Sequence, residues 1–471
     1  MSVGLVEVEL DFPHFNRFII QSTELLHNMI PNHLTIERNG GKGLSQRLVM
    51  FILVCCTATA NLVRSAEPQL QDESPQLRQL MEELRAGNQN TITNFWAEMN
   101  GKAPLIEPIP GDSEFRWITF IWRGDETTRE IVIYGEPPSK PTKRVAHLEG
   151  SDLWFVTDRI PKDSRFGYAF QINGGPIQLD PLNPRSLAGR SVVELPDAPP
   201  QPWILPQPDA PKGVRIQLTV KSKVLDEERA LAVYTPPGYS PKNKPYGLLV
   251  VFDGESYGYS DHSAIQTPLI LDNLLAARRI PPIIAVFVNS QKTRNRDLVC
   301  SPQFAEFLAE ELVPWVRSKY HVSKKPSDVI LAGSSYGGLC AAFCAWKYPK
   351  VFGNVLSQSG SFGHSPDPPC EVVPFTEETG WLIRKFVTTP GLHARFYLQV
   401  GKFEAPMIPD HRRLRDVLEA KGCPVTYSEM SGGHDYITWR SSFAEGLIAL
   451  VGIRPVSHAS RNPPAMGESS P

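Results

Sequence analysis

The stretch Leu331-Ala332-Gly333-Ser334-Ser335-Tyr336-Gly337-Gly338 places a serine inside G-x-S-x-G, between an apolar run and an amphipathic one. No other feature of the chain restricts the fold as much. Val329-Ile330-Leu331-Ala332 reads as a short buried strand, and Leu339-Cys340-Ala341-Ala342-Phe343-Cys344-Ala345-Trp346 reads as the helix that follows. Small residues on either side let the chain turn sharply enough to hold Ser335 in a strained conformation, with its hydroxyl exposed at the top of a sheet. From residue 214 onward apolar strands alternate with helical stretches, including 303–320 and 410–421. That alternation implies an α/β architecture, a mostly parallel sheet with helices on both faces.

A serine hydroxyl is a weak nucleophile at neutral pH, so it needs a base, and the base needs an orienting carboxylate. Gly432-Gly433-His434-Asp435 follows the strand-like run Val425-Thr426-Tyr427-Ser428-Glu429-Met430, which puts His434 on a loop just past a strand end. Between serine and histidine, Phe396-Tyr397-Leu398-Gln399-Val400-Gly401 reads as another strand, and Glu404 lies three residues past its closing glycine. Asp435 and Asp410 are rival carboxylates. Asp435 is the chain neighbour of His434, and adjacent side chains on an extended loop point apart; Asp410 follows Pro409 and reads as the N-cap of the helix 410–421. An oxyanion hole would pair the amide of Tyr336 with one from the loop after Leu248-Leu249-Val250-Val251-Phe252, at Gly254 or Glu255. The Asp253-Gly254 pair is equally compatible with an ordinary turn.

At 471 residues the chain is too long for one core of ordinary size. Short runs such as Trp117-Ile118-Thr119-Phe120-Ile121-Trp122 and Glu130-Ile131-Val132-Ile133-Tyr134, spaced by Gly, Pro and Asp, read as an all-β, immunoglobulin-like sandwich. We place this domain at 67–195 with a helical lead-in over 67–100, a proline-rich connector at 196–211, a catalytic domain at 212–455 and a disordered tail at 456–471. A stiff connector would hold the sandwich as a wall beside the pocket. Removing residues up to about 211 should then spare a small substrate and penalise a large one.

Residues 1–66 differ in character. Arg47 is followed by the apolar run Leu48-Val49-Met50-Phe51-Ile52-Leu53-Val54-Cys55-Cys56 and then by Ala58-Thr59-Ala60. This reads as a signal peptide behind an overlong start, giving a periplasmic or secreted protein, with a cytoplasmic extension as the alternative. The run is shorter than the roughly 20 apolar residues of a spanning helix, so no stable membrane insertion of the mature chain is expected. Cys55 and Cys56 would leave with the signal, and among Cys300, Cys340, Cys344, Cys370 and Cys423 no Cys/His cluster has metal-ligand spacing. A formal net charge of −2 lacks the basic bias of nucleic-acid binders.

The motifs together resemble the enterochelin (ferric enterobactin) esterase family over about residues 94–451. The similarity lies at the serine motif, at Val355-Leu356-Ser357-Gln358-Ser359-Gly360-Ser361-Phe362, at Gly401-Lys402-Phe403-Glu404-Ala405-Pro406-Met407, and at Gly432-Gly433-His434-Asp435 with Trp439-Arg440. In the N-terminal half it lies at Phe95-Trp96, Pro104-Leu105-Ile106-Glu107-Pro108 and Thr119-Phe120-Ile121-Trp122-Arg123-Gly124. The resemblance implies an α/β-hydrolase fold and a serine carboxylic ester hydrolase with Ser335 as nucleophile, His434 as base and Glu404 as acid. It implies no cofactor and no metal, and a small-molecule ester as partner, with an iron-loaded catecholate siderophore among the candidates. Arg294, Arg296, Phe362 and Tyr257 are the expected substrate contacts. The chain departs from the family pattern at Gly363-His364, where the family has a tryptophan pair, and at Arg294-Asn295-Arg296-Asp297-Leu298, where it has Arg-x-x-Glu-Leu. Two lost indoles remove aromatic faces that a catechol-rich ligand would use. Carbohydrate-linked acyl esters, as in related feruloyl and acetyl esterases, are the alternative substrate, and acyl transfer to an alcohol is the alternative outcome. A non-catalytic ligand-binding protein would show a broken triad; this one is unbroken.

Overall fold

The computed structural model describes residues 74–88, 90–135, 143–366 and 380–453. The leader-like run, Cys370 and the tail from 456 onward lie outside them. Every described residue belongs to the unit Leu70–Pro471.

The C-terminal half is built on one eight-stranded sheet. Its strands are β11 (Val214–Ser222), β12 (Glu227–Thr235), β13 (Gly247–Val251), β14 (Ile283–Val288), β15 (Val329–Ser334), β16 (Asn354–Gln358), β17 (Arg395–Gly401) and β18 (Val425–Met430). They lie in the order β11-β12-β14-β13-β15-β16-β17-β18. β11, β12 and β14 pair antiparallel, and every pairing from β14 to β18 is parallel. The period-two alternation of a strand decides which face each side chain meets. Leu248 and Val250 enter one apolar core and Leu249 and Val251 the other; Leu331 and Ile330 divide in the same way. A sheet apolar on both faces must be covered on both. Helices α8 (Tyr336–Lys347), α9 (Trp381–Thr388) and α10 (Ile408–Ala420) supply the first core, and α4 (Thr267–Ala276) and α11 (Tyr436–Val451) the second.

The expected helix over 303–320 is continuous but not uniform. It runs as α6 (Pro302–Glu306), a π turn (Phe307–Leu312) and α7 (Val313–Lys319). Pro314 lacks an amide hydrogen and its ring crowds the preceding turn, and widening that turn to a π turn removes the conflict. Between β13 and α4 lies α3 (Gly254–Tyr257), and α5 (Arg294–Leu298) precedes α6.

The N-terminal half contains two antiparallel sheets. One has the order β1-β2-β6-β5, from Leu105–Ile109, Asp112–Arg123, Leu153–Pro161 and Ala146–His147. The other has the order β4-β3-β7-β10-β9, from Lys143–Arg144, Ile131–Gly135, Arg165–Ile172, Arg190–Glu194 and Ser186–Leu187, with β8 (Ile177–Gln178) on β7. Ile118, Phe120, Ile133, Phe166, Tyr168 and Phe170 fill the space between them. The helical lead-in is more than an approach to the sandwich. Helices α1 (Pro75–Arg85) and α2 (Thr91–Met99) cover the outer face of the first sheet, packing Leu77, Leu80, Phe95 and Trp96 on Ile121, Leu153 and Phe155.

The connector at 196–211 packs against the C-terminal half. Its turn Pro202–Ile204 packs Trp203 and Ile204 on the second core, and Asn273 Nδ2 donates to the carbonyls of Trp203 and Leu205 at 2.8 and 3.0 Å. Nor is the sandwich only a wall. Phe403, from the loop after β17, belongs to the sandwich core and meets Phe166 edge-on at 5.4 Å. The Arg165 amide donates to Ser431 O at 2.9 Å. These contacts reach loops of the C-terminal half.

Arg229 of β12 has a completely buried side chain. Its guanidinium donates to Asp297 Oδ2 at 2.7 Å, to the carbonyl of Asn289 at 3.1 Å and to Thr293 Oγ1 at 3.2 Å, and it pairs with Glu227. It thereby anchors α5 and the loop after β14 to the sheet. Breaking a buried pair from one side leaves an uncompensated charge, at a cost of about 3–5 kcal/mol. Arg229→Met should lose that amount in denaturant unfolding, and adding Asp297→Leu should restore part of it.

Candidate active site

All the parallel strands end at one edge, and that edge gathers the predicted residues. Ser335 sits between β15 and α8 at φ 56° and ψ −123°. A side chain at positive φ costs of order 1–3 kcal/mol, and the surroundings must hold it there. They do so through the Ser335 amide, which donates to Gln358 O at 2.9 Å, and through two close approaches that only glycine permits. A Cβ on Gly333 would lie 2.7 Å from the Gly337 carbonyl carbon, and one on Gly338 would lie 2.4 Å from Ser357 Oγ. Tyr336 opens α8, so its amide is one of the donors that a helix start leaves without an intrahelical partner.

Glu404 follows β17 and is buried, at 4% exposure. Its Oε1 accepts from the Gly401 amide at 2.8 Å and from Ser359 Oγ at 2.6 Å, and its Oε2 lies 2.7 Å from His434 Nδ1. Trp439 Nε1 donates to Ser359 Oγ at 2.9 Å, and the Trp439 ring stands edge-on to the His434 ring at 5.0 Å. A carboxylate on Nδ1 makes that nitrogen the donor and leaves Nε2 as the proton acceptor. The Ser335 hydroxyl lies 3.4 Å from Ser361 Oγ, and the Ser361 amide donates to Ser335 O at 3.2 Å. Among the described residues that hydroxyl makes no hydrogen bond to His434, and such bonds commonly tighten only when substrate is bound.

The rival carboxylates have other work. Asp435 is the N-cap of α11, accepting from the Thr438 amide at 2.8 Å, and its other oxygen accepts from the Gly167 amide at 2.7 Å. Asp410 lies in the first turn of α10, not at its cap as expected; Met407 is the cap. Asp410 pairs with Arg413 at 3.3 Å, and burial raises its pKa.

On the other side of Ser335, Asp253 takes a left-handed conformation at φ 51° and starts α3 with Gly254 and Glu255. A Cβ on Gly254 would lie 2.7 Å from Asn289 Oδ1 and from the Phe287 carbonyl carbon. The Glu255 carboxylate accepts from the Ser290 amide at 3.1 Å. Asp253 receives both Nε and Nη2 of Arg294 at 2.8 Å, and the Arg294 guanidinium stands 5.7 Å from the Tyr336 ring centre. His364 meets the same ring at 5.5 Å. Arg294, Tyr336 and His364 therefore gather beside Ser335. The other three expected substrate contacts are buried or paired elsewhere. Tyr257 has no exposed surface and donates its hydroxyl to Gln358 Oε1 at 2.9 Å; Phe362 is 1% exposed and packs on His411; Arg296 turns to Glu227 and Asp297. Tyr257 and Phe362 are apolar enough to be drawn into the core, and Arg296 is drawn to carboxylates placed by the fold.

The sequence reading also missed Asp253, Ser359, Ser361, Trp439 and His411. Ser359, Ser361 and Trp439 lay in motifs already noted, but nothing local reveals whom a side chain will meet. Among the described residues no group of three or more His, Cys, Asp or Glu is placed to hold a metal, and no helix is long and apolar enough to cross a membrane.

The Esterase family model, described as "Putative esterase", matches residues 222–450. The iron(III) enterobactin esterase of Escherichia coli K12 is 31% identical over 385 residues, covering 71% of this chain and 90% of that protein. The chain belongs to the enterobactin esterase family. The iron(III) salmochelin esterase of Escherichia coli O6:H1 is 25% identical over 416 residues, covering 81% of this chain and 99% of that protein. The crystal structure of the Shigella flexneri enterobactin esterase in the presence of enterobactin superposes with a TM-score of 0.62 at 25% identity, covering 76% of this chain and 97% of that one. As a member of the enterobactin esterase family, the chain is a carboxylic ester hydrolase.

His411 lies behind this site. It is buried, its Nδ1 lies 2.9 Å from Met407 O, its Nε2 has no partner among the described residues, and burial depresses its pKa from 6.5 to about 4. Between those values the unfolded chain binds a proton that the folded one refuses, so His411 lowers stability as pH falls from about 6.5 to about 4. The raised carboxyls of Asp410 and Asp435 act in the opposite sense. The difference between chains isolates the histidine: His411→Asn should lose less Tm than wild type over that window, read by scanning calorimetry at several pH values.

Proposed function

We propose that this chain cleaves the ester bonds of a catecholate siderophore through Ser335, His434 and Glu404. The observation that carries the reading is the Glu404 carboxylate held 2.7 Å from His434 Nδ1, at the same sheet edge as the strained Ser335. Ser335 Oγ turns from Ser361 and attacks the ester carbonyl as His434 Nε2 takes its proton. The amide of Tyr336, with that of Gly254 or Glu255, stabilises the oxyanion. His434 then protonates the departing alcohol, and a water molecule activated by the same imidazole releases the acid. Glu404 keeps Nδ1 as donor and stabilises the imidazolium.

The siderophore reading is supported by relatives named as enterobactin and salmochelin esterases, with which the chain aligns along most of their length. Arg294 and Tyr336 at the mouth offer a cation and an aromatic face to an anionic, aromatic ligand. Gly363-His364 in place of a tryptophan pair favours a second substrate class, acyl esters on carbohydrate. We further propose an immunoglobulin-like N-terminal sandwich, and export guided by the apolar run at 48–56.

Rates on linear and cyclic catecholate triesters, feruloyl-sugar and acetyl-sugar esters decide the substrate; the highest kcat/KM should fall on a catecholate ester, and a sugar ester in first place overturns that choice. Ser335→Ala and His434→Ala should each lower turnover by on the order of 10⁴-fold or more. A serine-directed phosphonate should label wild type at Ser335 alone. Glu404→Gln should lower kcat by on the order of 10⁴-fold with KM little changed, because it disturbs the imidazole rather than binding. A larger loss for Asp410→Asn would mean the acid is elsewhere.

A further inference from the structure

The residue before the acid and the residue after the base are both gripped by one strand of the N-terminal half. Phe403 precedes Glu404, and its ring lies in the sandwich core against Phe166 of β7 at 5.4 Å. Asp435 follows His434, and its Oδ2 accepts from the Gly167 amide of β7 at 2.7 Å. Arg165, on the same strand, uses its amide on Ser431 O at 2.9 Å and its carbonyl as acceptor for Thr438 Oγ1 at 3.3 Å. Thr438 Oγ1 in turn accepts from the Gly433 amide at 3.0 Å. The peptide units flanking His434 are thus held from outside by β7 and from inside by the first turn of α11. The contact is close enough to require glycine, since a Cβ on Gly432 would lie 2.7 Å from Arg165 O.

We infer that strand β7 belongs to the catalytic apparatus, acting through Phe403 and Asp435 as positioning residues that set the Glu404–His434 geometry. Neither residue touches substrate. Each fixes a backbone from which a reacting side chain projects, and displacing such a group by about 1 Å can cost on the order of 100-fold in rate. The inference rests on the roles proposed for Glu404 and His434, and it makes the N-terminal half necessary for small and large esters alike.

Asp435→Ser is the informative variant, made in the full chain. Serine is a good N-cap and can still serve the Thr438 amide, but it has no second oxygen for Gly167. Three measurements are made on wild type and variant: Tm, kinetics on 4-nitrophenyl butyrate normalised to phosphonate-titrated active sites, and amide hydrogen exchange of residues 431–436. The expected result is a folded variant with KM within about twofold, kcat lowered by roughly 10- to 100-fold, and exchange of that segment accelerated. A merely structural role would lower the titratable fraction and leave kcat per active site intact. If the folded variant keeps kcat per site within about twofold, or if the segment exchanges as in wild type, the inference is overturned. Should Asp435→Ser not fold, Phe403→Leu carries the same test from the other loop, with the same kcat-selective loss expected, and unchanged kcat per site overturns it. Wild type that neither reacts with the phosphonate nor cleaves the ester would refute the proposed chemistry, while the exchange comparison would still decide whether β7 holds the histidine loop.

Discussion

A buried carboxylate that must be satisfied ties this sheet edge together. Glu404 takes one donor from the end of its own strand at Gly401, a second from Ser359 beyond β16, and a third from His434 beyond β18. A buried acceptor that loses a partner costs about 1–3 kcal/mol, and a charged one costs more. No one of the three loops can therefore move without penalising the other two. Trp439 extends the lock into α11 through Ser359. The strained turn at Ser335 is fastened to the same frame, because its amide bonds to Gln358, the last residue of β16.

The strands that carry the site were legible because each is a short apolar run closed by small residues. β18 lies where the alternation placed it, β15 and β17 exceed their predicted cores by a residue or two, and α10 begins two residues before Asp410. The chain order Ser335, Glu404, His434 matches the topology, since the three residues follow the parallel strands β15, β17 and β18. What stayed hidden was long-range. Asp435 reads locally as a spare carboxylate, and its meeting with Gly167 spans most of the chain. Tyr257 and Phe362 read as substrate contacts, but an aromatic ring beside a growing core gains more by burial than by display. Prolines at 196–211 read as stiffness, and the fastening of the segment through Trp203 and Asn273 had no local signal.

The mouth of the site is less regular than its floor. Asp253 fixes the Arg294 guanidinium in a two-pronged grip, so its position is set by the loop after β13 and not by solvent. Arg229 fixes the segment carrying Arg294 from below, again through a carboxylate, Asp297. Tyr336 meets both that cation and His364. A polar, partly aromatic rim on a rigid apolar frame is an arrangement in which rim residues can change without disturbing the chemistry beneath.

The outer oxygen of Asp435 bears on where this chain could be divided. The family model spans 222–450 and so includes the aspartate but not the strand that answers it. A protein built from that span alone would lack the Gly167 amide, and α11 alone would steady the histidine loop. A graft of the N-terminal half onto another body would therefore have to carry the strand and the loop as one piece.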